Sequence, residues 1–278
     1  MSELRNLTAT RYVQPLREGG SLPAIVDTDG DGLYVAKFRG AGQGAKALIA
    51  ELIVGQLAQI VGLPTPDLAL IRIPKSFGQS EPDPEIQDLL RKSHGVNFGI
   101  RYLDGAFNYD PNAADEFISS ELASRIVWFD AFLTNPDRTH RNPNLLIWNR
   151  KPWLIDHGAA LYAHHDWQSV DETRTRSAFP LIKDHVLLSG ADQIDQADKH
   201  MLEQLSAESI TKAVGGIPDE LLRDETVAAD FSNPAAVRRR YVDYLMLRST
   251  EPRSFVSEAI DARSRAKKTR PRRVASRR

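Results

Sequence analysis

The alternation of apolar and polar positions predicts a strand-rich beginning and a helix-rich end. Two short apolar runs, 22–26 and 33–38, are joined by Asp27-Thr-Asp-Gly-Asp-Gly32, whose Asp and Gly residues favour a tight turn. Residues 7–38 are therefore expected to form a small antiparallel sheet. In the second run Leu33, Val35 and Lys37 point to one face, and Tyr34, Ala36 and Phe38 to the other. Residues 46–61, rich in Ala, Leu and Ile and ended by Gly62 and Pro64, predict a helix. Further strands are expected at 68–73 and 97–103, with a short helix at 85–92 between them and a Pro- and Asn-bearing loop at 106–114. A long helix at 115–133 carries Leu122, Ile126, Phe129 and Leu133 at helical spacing, and Pro136 stops it. The stretch 128–160 then runs from that helix end through a polar loop, a short strand, a tight turn and a second strand that ends at Asp156. Beyond an irregular segment at 161–177, helices are expected at 191–205, 207–214, 234–248 and 253–265.

Composition narrows the classes. A chain of 278 residues has room for one large domain or two lobes sharing a cleft. It contains no cysteine, which excludes disulfides, thiol nucleophiles and cysteine zinc sites and fits a reducing, cytoplasmic setting. No apolar run approaches the roughly 20 residues a bilayer-spanning helix needs, and the first residues lack the apolar core of a signal peptide. The net charge of −1 conceals an asymmetry. Residues 263–278 hold nine Lys or Arg and no acid, which leaves 27 basic against 37 acidic residues in 1–262, a charge of −10. Such a segment is expected to be a disordered tail, either solubilising or a salt-sensitive anchor for nucleic acid or an acidic partner. Arg238, Arg239 and Arg240 read as a solvated helix face.

Several polar residues stand out against their surroundings. Lys37 shares a strand face with two apolar residues, so it either finds an anionic partner or snorkels to water. Glu51 has Ala47, Leu48, Val54 and Gly55 at helical spacing around it; it either points inward toward a cation, with Lys37 the candidate, or is a partly exposed helix acid. Gly19-Gly20-Ser21 could let backbone amides approach a phosphate, or be a plain turn. Asp137 and Asn142 are spaced over one loop, and Asp156 ends a strand before Gly158. Phosphoryl transfer needs a cation on the phosphates, hard oxygen ligands for a metal, and a carboxylate near the attacking hydroxyl. Lys37 with Glu51, Asn142 with Asp156, and Asp137 match those three needs in order.

The motifs carry a resemblance. Asp137-Arg-Thr-His-Arg-Asn142 resembles the D-R-H-x-x-N catalytic loop of phosphatidylinositol-kinase-like and HipA-type kinases, and Leu154-Ile-Asp-His-Gly158 resembles their metal-binding D-F-G equivalent. Tyr34-Val-Ala-Lys37-Phe is similar to the nucleotide-lysine strand. Glu51-Leu-Ile-Val-Gly-Gln-Leu-Ala58 with Gly62-Leu-Pro64-Thr-Pro66 is similar to the helix and exit of HipA-like proteins; Ser21 is the nearest analogue of their glycine-loop serine. The resemblance, over roughly 8–250, implies an α+β, bilobal protein-kinase-like fold. Residues 1–105 would be a nucleotide-binding lobe of a small antiparallel sheet plus one helix, and 106–262 a larger, mainly helical catalytic lobe. It implies ATP and Mg²⁺ as cofactors. Lys37 would contact phosphates and Glu51 would hold Lys37; Asp137 would be the catalytic carboxylate; Asn142 and Asp156 would be metal ligands, with Asn144 an alternative to Asn142; Arg138 would be structural. An ATP-dependent kinase acting on a protein Ser/Thr or a small-molecule hydroxyl is the leading expectation, and a catalytically silent nucleotide-binding or scaffolding module the alternative. A metal hydrolase built on His140, His157, His164, His165 and Asp166 matches no common zinc spacing.

Overall fold

The computed structural model describes residues 4–16, 22–42, 44–79 and 81–269. Five strands, β1 (Arg5–Pro15), β2 (Ala24–Thr28), β3 (Leu33–Lys37), β4 (Leu68–Ile73) and β5 (Gly95–Arg101), close into a barrel in the order β1-β2-β3-β5-β4. Neighbours are antiparallel except β1 and β4, which run parallel. This differs from the small antiparallel sheet expected from 7–38. The cause is the long β1: Arg5–Thr8 pair with β4, Ala9–Pro15 pair with β2, and two register shifts between Ala9 and Gln14 bend the strand enough to serve both neighbours. Small residues at Ala9, Ala24, Ala36 and Ala69, with Tyr34 and Ile71, fill the barrel's core.

The helices are α1 (Gly44–Ile60), α2 (Pro84–Lys92), α3 (Pro111–Ala114), α4 (Ser120–Phe132), α5 (Glu172–Thr175), α6 (Ile194–Gln204), α7 (Ala207–Gly215), α8 (Asp219–Leu222), α9 (Glu225–Ala228), α10 (Pro234–Ser249) and α11 (Ser254–Thr269). Helix α1 has no polar stripe; every residue from Leu48 to Ala58 is buried, as expected for a helix covered on all sides. The barrel strands β4 and β5 cover one side, and α7, α8 and α9 the other. Gly55 lets α1 approach β4 closely, since a Cβ there would lie 2.9 Å from Leu68 Cδ1. Gln56 Nε2 donates to Ala213 O at 2.9 Å and fastens α1 to α7. Helix α8 is clamped to the barrel by Glu220, whose Oε1 accepts from Arg39 at 2.8 Å and from the Val96 backbone at 2.9 Å. A second sheet, β6 (Phe107–Asn108), β7 (Leu145–Trp148) and β8 (Lys151–Leu154), carries the chain to Asp156. The largest apolar core runs without a break from α1 through α4 to α10 and α11.

Most predicted elements stand within a few residues, and the departures have local causes. Helix α4 starts at Ser120 because the Ser119 hydroxyl caps it by accepting from Leu122 N at 3.2 Å. The loop expected at 106–114 contains β6 and α3. Helix α11 continues to Thr269, so seven residues of the basic segment are helical; Arg263 faces Asp192 at 3.8 Å and Arg265 faces Glu258 at 2.6 Å. The expected solvated face of α10 is in part occupied: Arg238 pairs with Asp219 at 2.7 Å, and the Arg240 guanidinium lies 4.8 Å from the Trp167 ring centre. No helix among the described residues is long and apolar enough to cross a membrane.

Arg248, at the end of α10, is only 2% exposed and donates to the carbonyls of Ala131 (2.9 Å), Phe132 (2.7 Å) and Thr175 (2.7 Å). It thereby satisfies the C-terminal carbonyls of α4 and ties them to α10. Arg248→Met should cost about 2–4 kcal/mol by leaving buried acceptors unpaired, lowering Tm by roughly 5–15 °C. Arg248→Lys should rescue little, since an ammonium cannot reach acceptors spread around a planar fork. A melting curve unchanged in Arg248→Met would remove this residue from the stability argument.

Candidate functional site

Lys37 is the last residue of β3, and the strand's alternation turns it toward α1 rather than into the barrel. Its Nζ donates to Glu51 Oε1 and, at 2.6 Å, to Asp156 Oδ1. Lys37 is 8% exposed and Glu51 1%, whereas the Asp156 side chain remains 43% exposed. Three segments far apart in sequence thus meet at one ammonium. With all three ionised the group carries a formal charge of −1. Burial works against the Lys37 charge, but the two carboxylates more than offset it and hold the ammonium pKa above its ordinary value. Burial raises the Glu51 carboxyl above the usual range, with Lys37 opposing only in part. Asp156 is lowered: burial would raise it, and Lys37 outweighs that.

Asp156 has a φ of 54°, a left-handed conformation that Asp tolerates better than most residues. Gly158 then lies flat against α1, where a Cβ would be 3.3 Å from Glu51 Oε1 and 3.5 Å from Ala47 Cβ. A narrow cleft opens here between Phe38, Ala41 and Gly44 on one side and Asp156 and Gly158 on the other.

Asp137 lies on the loop after α4. Its Oδ2 accepts from both candidate amides, Asn142 Nδ2 at 2.8 Å and Asn144 Nδ2 at 3.1 Å. Both amides therefore orient this carboxylate. Arg138, 1% exposed, joins the Asp137 loop to the Asp156 loop. Its guanidinium donates to Asn144 O and, at 3.4 Å, to Ile155 O, and stands 3.2 Å from His157 Nδ1. Its Nε donates to Asp130 Oδ2 at 2.6 Å. Asp130 also accepts from Asn135 at 2.9 Å and lies 3.0 Å from His185 Nε2. Burial alone would raise the Asp130 carboxyl, yet Arg138 and His185 hold it well below the usual range. Asp130, His157 and His185 were not singled out from sequence as parts of this assembly. Asp130 carried the same signal as Glu51, a lone acid among apolar helix residues (Trp128, Phe129, Ala131, Phe132).

The structure brings Lys37, Glu51 and Asp156 into direct contact and Asp137, Asn142 and Asn144 into another group, the two joined through Arg138. Gly19, Gly20 and Ser21 lie outside the described residues. The histidines of the hydrolase alternative do not assemble: among the described residues no group of three or more His, Asp or Glu is placed to hold a metal. A carboxylate with an amide still suits Mg²⁺, a hard ion that takes few protein oxygens and fills its shell with water and phosphate. The partly exposed Asp156 and the triad's excess negative charge fit such an ion.

Three buried histidines set an acid limit. Burial, the largest cause in each case, depresses His157 to about 3, His164 well below 6.5, and His185 in spite of Asp130. Folded pKa values below the unfolded value mean that the unfolded chain binds more protons in acid. Stability should be intact above about pH 6.5 and fall as pH drops below it. His164→Asn should flatten the pH dependence of the unfolding free energy there by about 1.4 kcal/mol per pH unit. Urea titrations from pH 7 to 5 read this, and an unaltered slope would refute it.

Comparison with known proteins follows the same lines. The crystal structure of a Helicobacter pylori proinflammatory kinase, CtkA, superposes with a TM-score of 0.54 at 13% identity, covering 88% of this chain and 95% of that one. At that identity the likeness speaks for the fold alone: a mixed α/β, kinase-like architecture. No curated protein matches the chain. The sequence profile of the HipA-like kinases matches residues 10–248, which contain every candidate residue named above, and the chain belongs to the HipA-like kinase family.

Proposed function

We propose that the protein is a cytoplasmic ATP- and Mg²⁺-dependent kinase that transfers the γ-phosphoryl group to a protein Ser/Thr or a small-molecule hydroxyl. The observation that carries this is the contact of Lys37 with both Glu51 and Asp156, supported by membership of a kinase family. A buried lysine fixed by a helix carboxylate serves to hold phosphate oxygens, and Glu51 keeps it charged and aimed. Asp156, with Asn142 or Asn144, would hold Mg²⁺, which neutralises phosphate charge when bound. The site's own negative charge would otherwise repel a triphosphate.

Asp137 would accept the acceptor's proton. The acceptor oxygen forms a bond to the γ-phosphorus, the bond from that phosphorus to the bridging oxygen breaks, and ADP leaves with the electron pair. The paired amides of Asn142 and Asn144 keep Asp137 oriented for this role. On this reading nucleotide binds in the cleft between the part of the chain at 1–105 and that at 106–262. The basic segment that starts at 263 could add weak, salt-sensitive attraction for an acidic partner.

Asp156→Ala should abolish Mg²⁺-dependent nucleotide binding in calorimetry. Asp137→Ala should keep that binding and lose labelled-phosphate transfer by about a hundredfold or more. Transfer at the wild-type rate in either variant would discredit the assignment, and nucleotide binding by the unaltered protein with no transfer to any acceptor, itself included, would leave a binding module. Lys37→Ala and Glu51→Ala should each weaken nucleotide binding, with the double variant hardly worse than either alone. Additive losses would mean that the two residues act separately.

A further inference from the structure

A cavity beside the Asp137 loop is lined by none of the residues assigned above to phosphate or metal. It encloses about 350 Å³, and its wall includes Thr134 and Pro136, the residues that lead into Asp137. Consecutive Cα atoms are about 3.8 Å apart, so the wall reaches the immediate neighbourhood of the Asp137 backbone. The opposite wall is the segment around Phe179 and Leu181. That segment is fixed to the same loop further on: Val186 N donates to Arg138 O at 3.0 Å, and Thr139 bridges His185. The cavity is thus built onto the loop that presents Asp137.

Its chemistry is selective. The lining is mostly apolar, with Phe179 and Tyr244 among its aromatics, and it contains two guanidiniums, Arg174 and Arg248, and no acidic residue. Neither guanidinium has a carboxylate within salt-bridge distance among the described residues. Arg248 is buried against carbonyls and aromatic rings; Arg174 is exposed, its side chain donating to Ser169 O at 3.0 Å. Thr134 Oγ1 is buried with no hydrogen-bond partner in the described structure. The rim carries Tyr162 at 67% exposure and Leu181 at 52%, two of the three most exposed large apolar residues among those described. A pocket for a small metabolite has no need of exposed apolar side chains outside it, whereas a macromolecular partner covers them.

We infer that this cavity is the acceptor-docking subsite, and that its occupant is a polypeptide segment with an apolar side chain and a carboxylate close to the phosphorylated Ser or Thr. The apolar side chain enters between Phe179 and Tyr244, Tyr162 and Leu181 close over the segment, and the carboxylate meets Arg174. The inference rests on the kinase reading for its acceptor hydroxyl, and it names the substrate class that reading leaves open.

The test uses an array of Ser/Thr peptides in which an apolar residue and an acid are moved through the positions flanking the hydroxyl. The full-length protein is overlaid without nucleotide to read docking, and separately supplied with labelled ATP and Mg²⁺ to read transfer. Wild-type protein should retain peptides bearing the apolar–acid pair. Leu181→Asp should weaken that retention about tenfold or more, and Arg174→Glu should replace the preference for an acid by one for a base. Both positions are exposed, so melting temperatures should match wild type and confirm folded variants. Equal retention of all peptides, or retention unchanged in both variants, would overturn the docking site whatever the transfer result. Selective retention with no phosphate transfer would support docking and count against the kinase function instead. Transfer to small hydroxyl compounds with no peptide retained would assign the cavity to a metabolite and overturn the inference.

Discussion

A single ammonium set among apolar neighbours constrains this molecule. Lys37 ends a barrel strand and is nearly closed off from water. A charge in that position is tolerated only with counter-charges and hydrogen bonds supplied by the protein. Glu51 and Asp156 supply them, so β3, α1 and the loop after β8 must arrive at one place in one register. A one-residue slip of β3 would turn Lys37 into the barrel and break both pairings. The arrangement is weak evidence for stability and stronger evidence for positional definition, because any near-native packing that separates the three leaves a buried charge alone.

The same logic recurs one layer down. Arg138 is fully enclosed, and its donors are spent on Asp130, on the backbone carbonyls of Asn144 and Ile155, and toward His157. Arg248 does for the end of α4 what Arg138 does for the loop that follows it. The loops bearing Asp137 and Asp156 are irregular, with non-glycine residues at positive φ including Thr134, Asn144 and Asp156. Irregular backbone cannot satisfy itself through a ladder, so planar, many-donor side chains take over. Polar groups here are the fasteners of a site that regular structure could not hold.

Helix α1 gives these contacts their mechanical setting. It is packed between the barrel and α7–α9, with Glu220 clamping α8 to the barrel edge and Gln56 bonding α1 to α7. Gly95 makes the clamp possible: a Cβ there would fall 1.9 Å from Glu220 Oε1, and its φ of +98° suits glycine. Glu51 is thereby held by residues more than 150 positions away in sequence, and its reach to Lys37 depends on helices near the other end of the chain.

Much of this was legible in the chain. Strand periodicity assigned Lys37 a face, the apolar company of Glu51 favoured an acid that points inward, and turn and strand-end chemistry, which is local, singled out Asp137, Asn142 and Asp156; Asp130 carries the same mismatch as Glu51 but was not read from it. Those signals survive in sequence because each is a mismatch between one residue and its near neighbours. The barrel was not legible: β1 is polar along most of its length, and its closure onto β4 depends on bulges and a parallel pairing that no local pattern encodes. Nor was the burial of α1 by α7–α9, the use of Arg238 and Arg240 as packing and pairing groups, or the cavity beside Pro136. Each is a contact between elements far apart in the chain, and such contacts are decided by how whole elements pack. The sequence by itself determined which residues could not remain unpartnered; only the tertiary structure decided which partners they found.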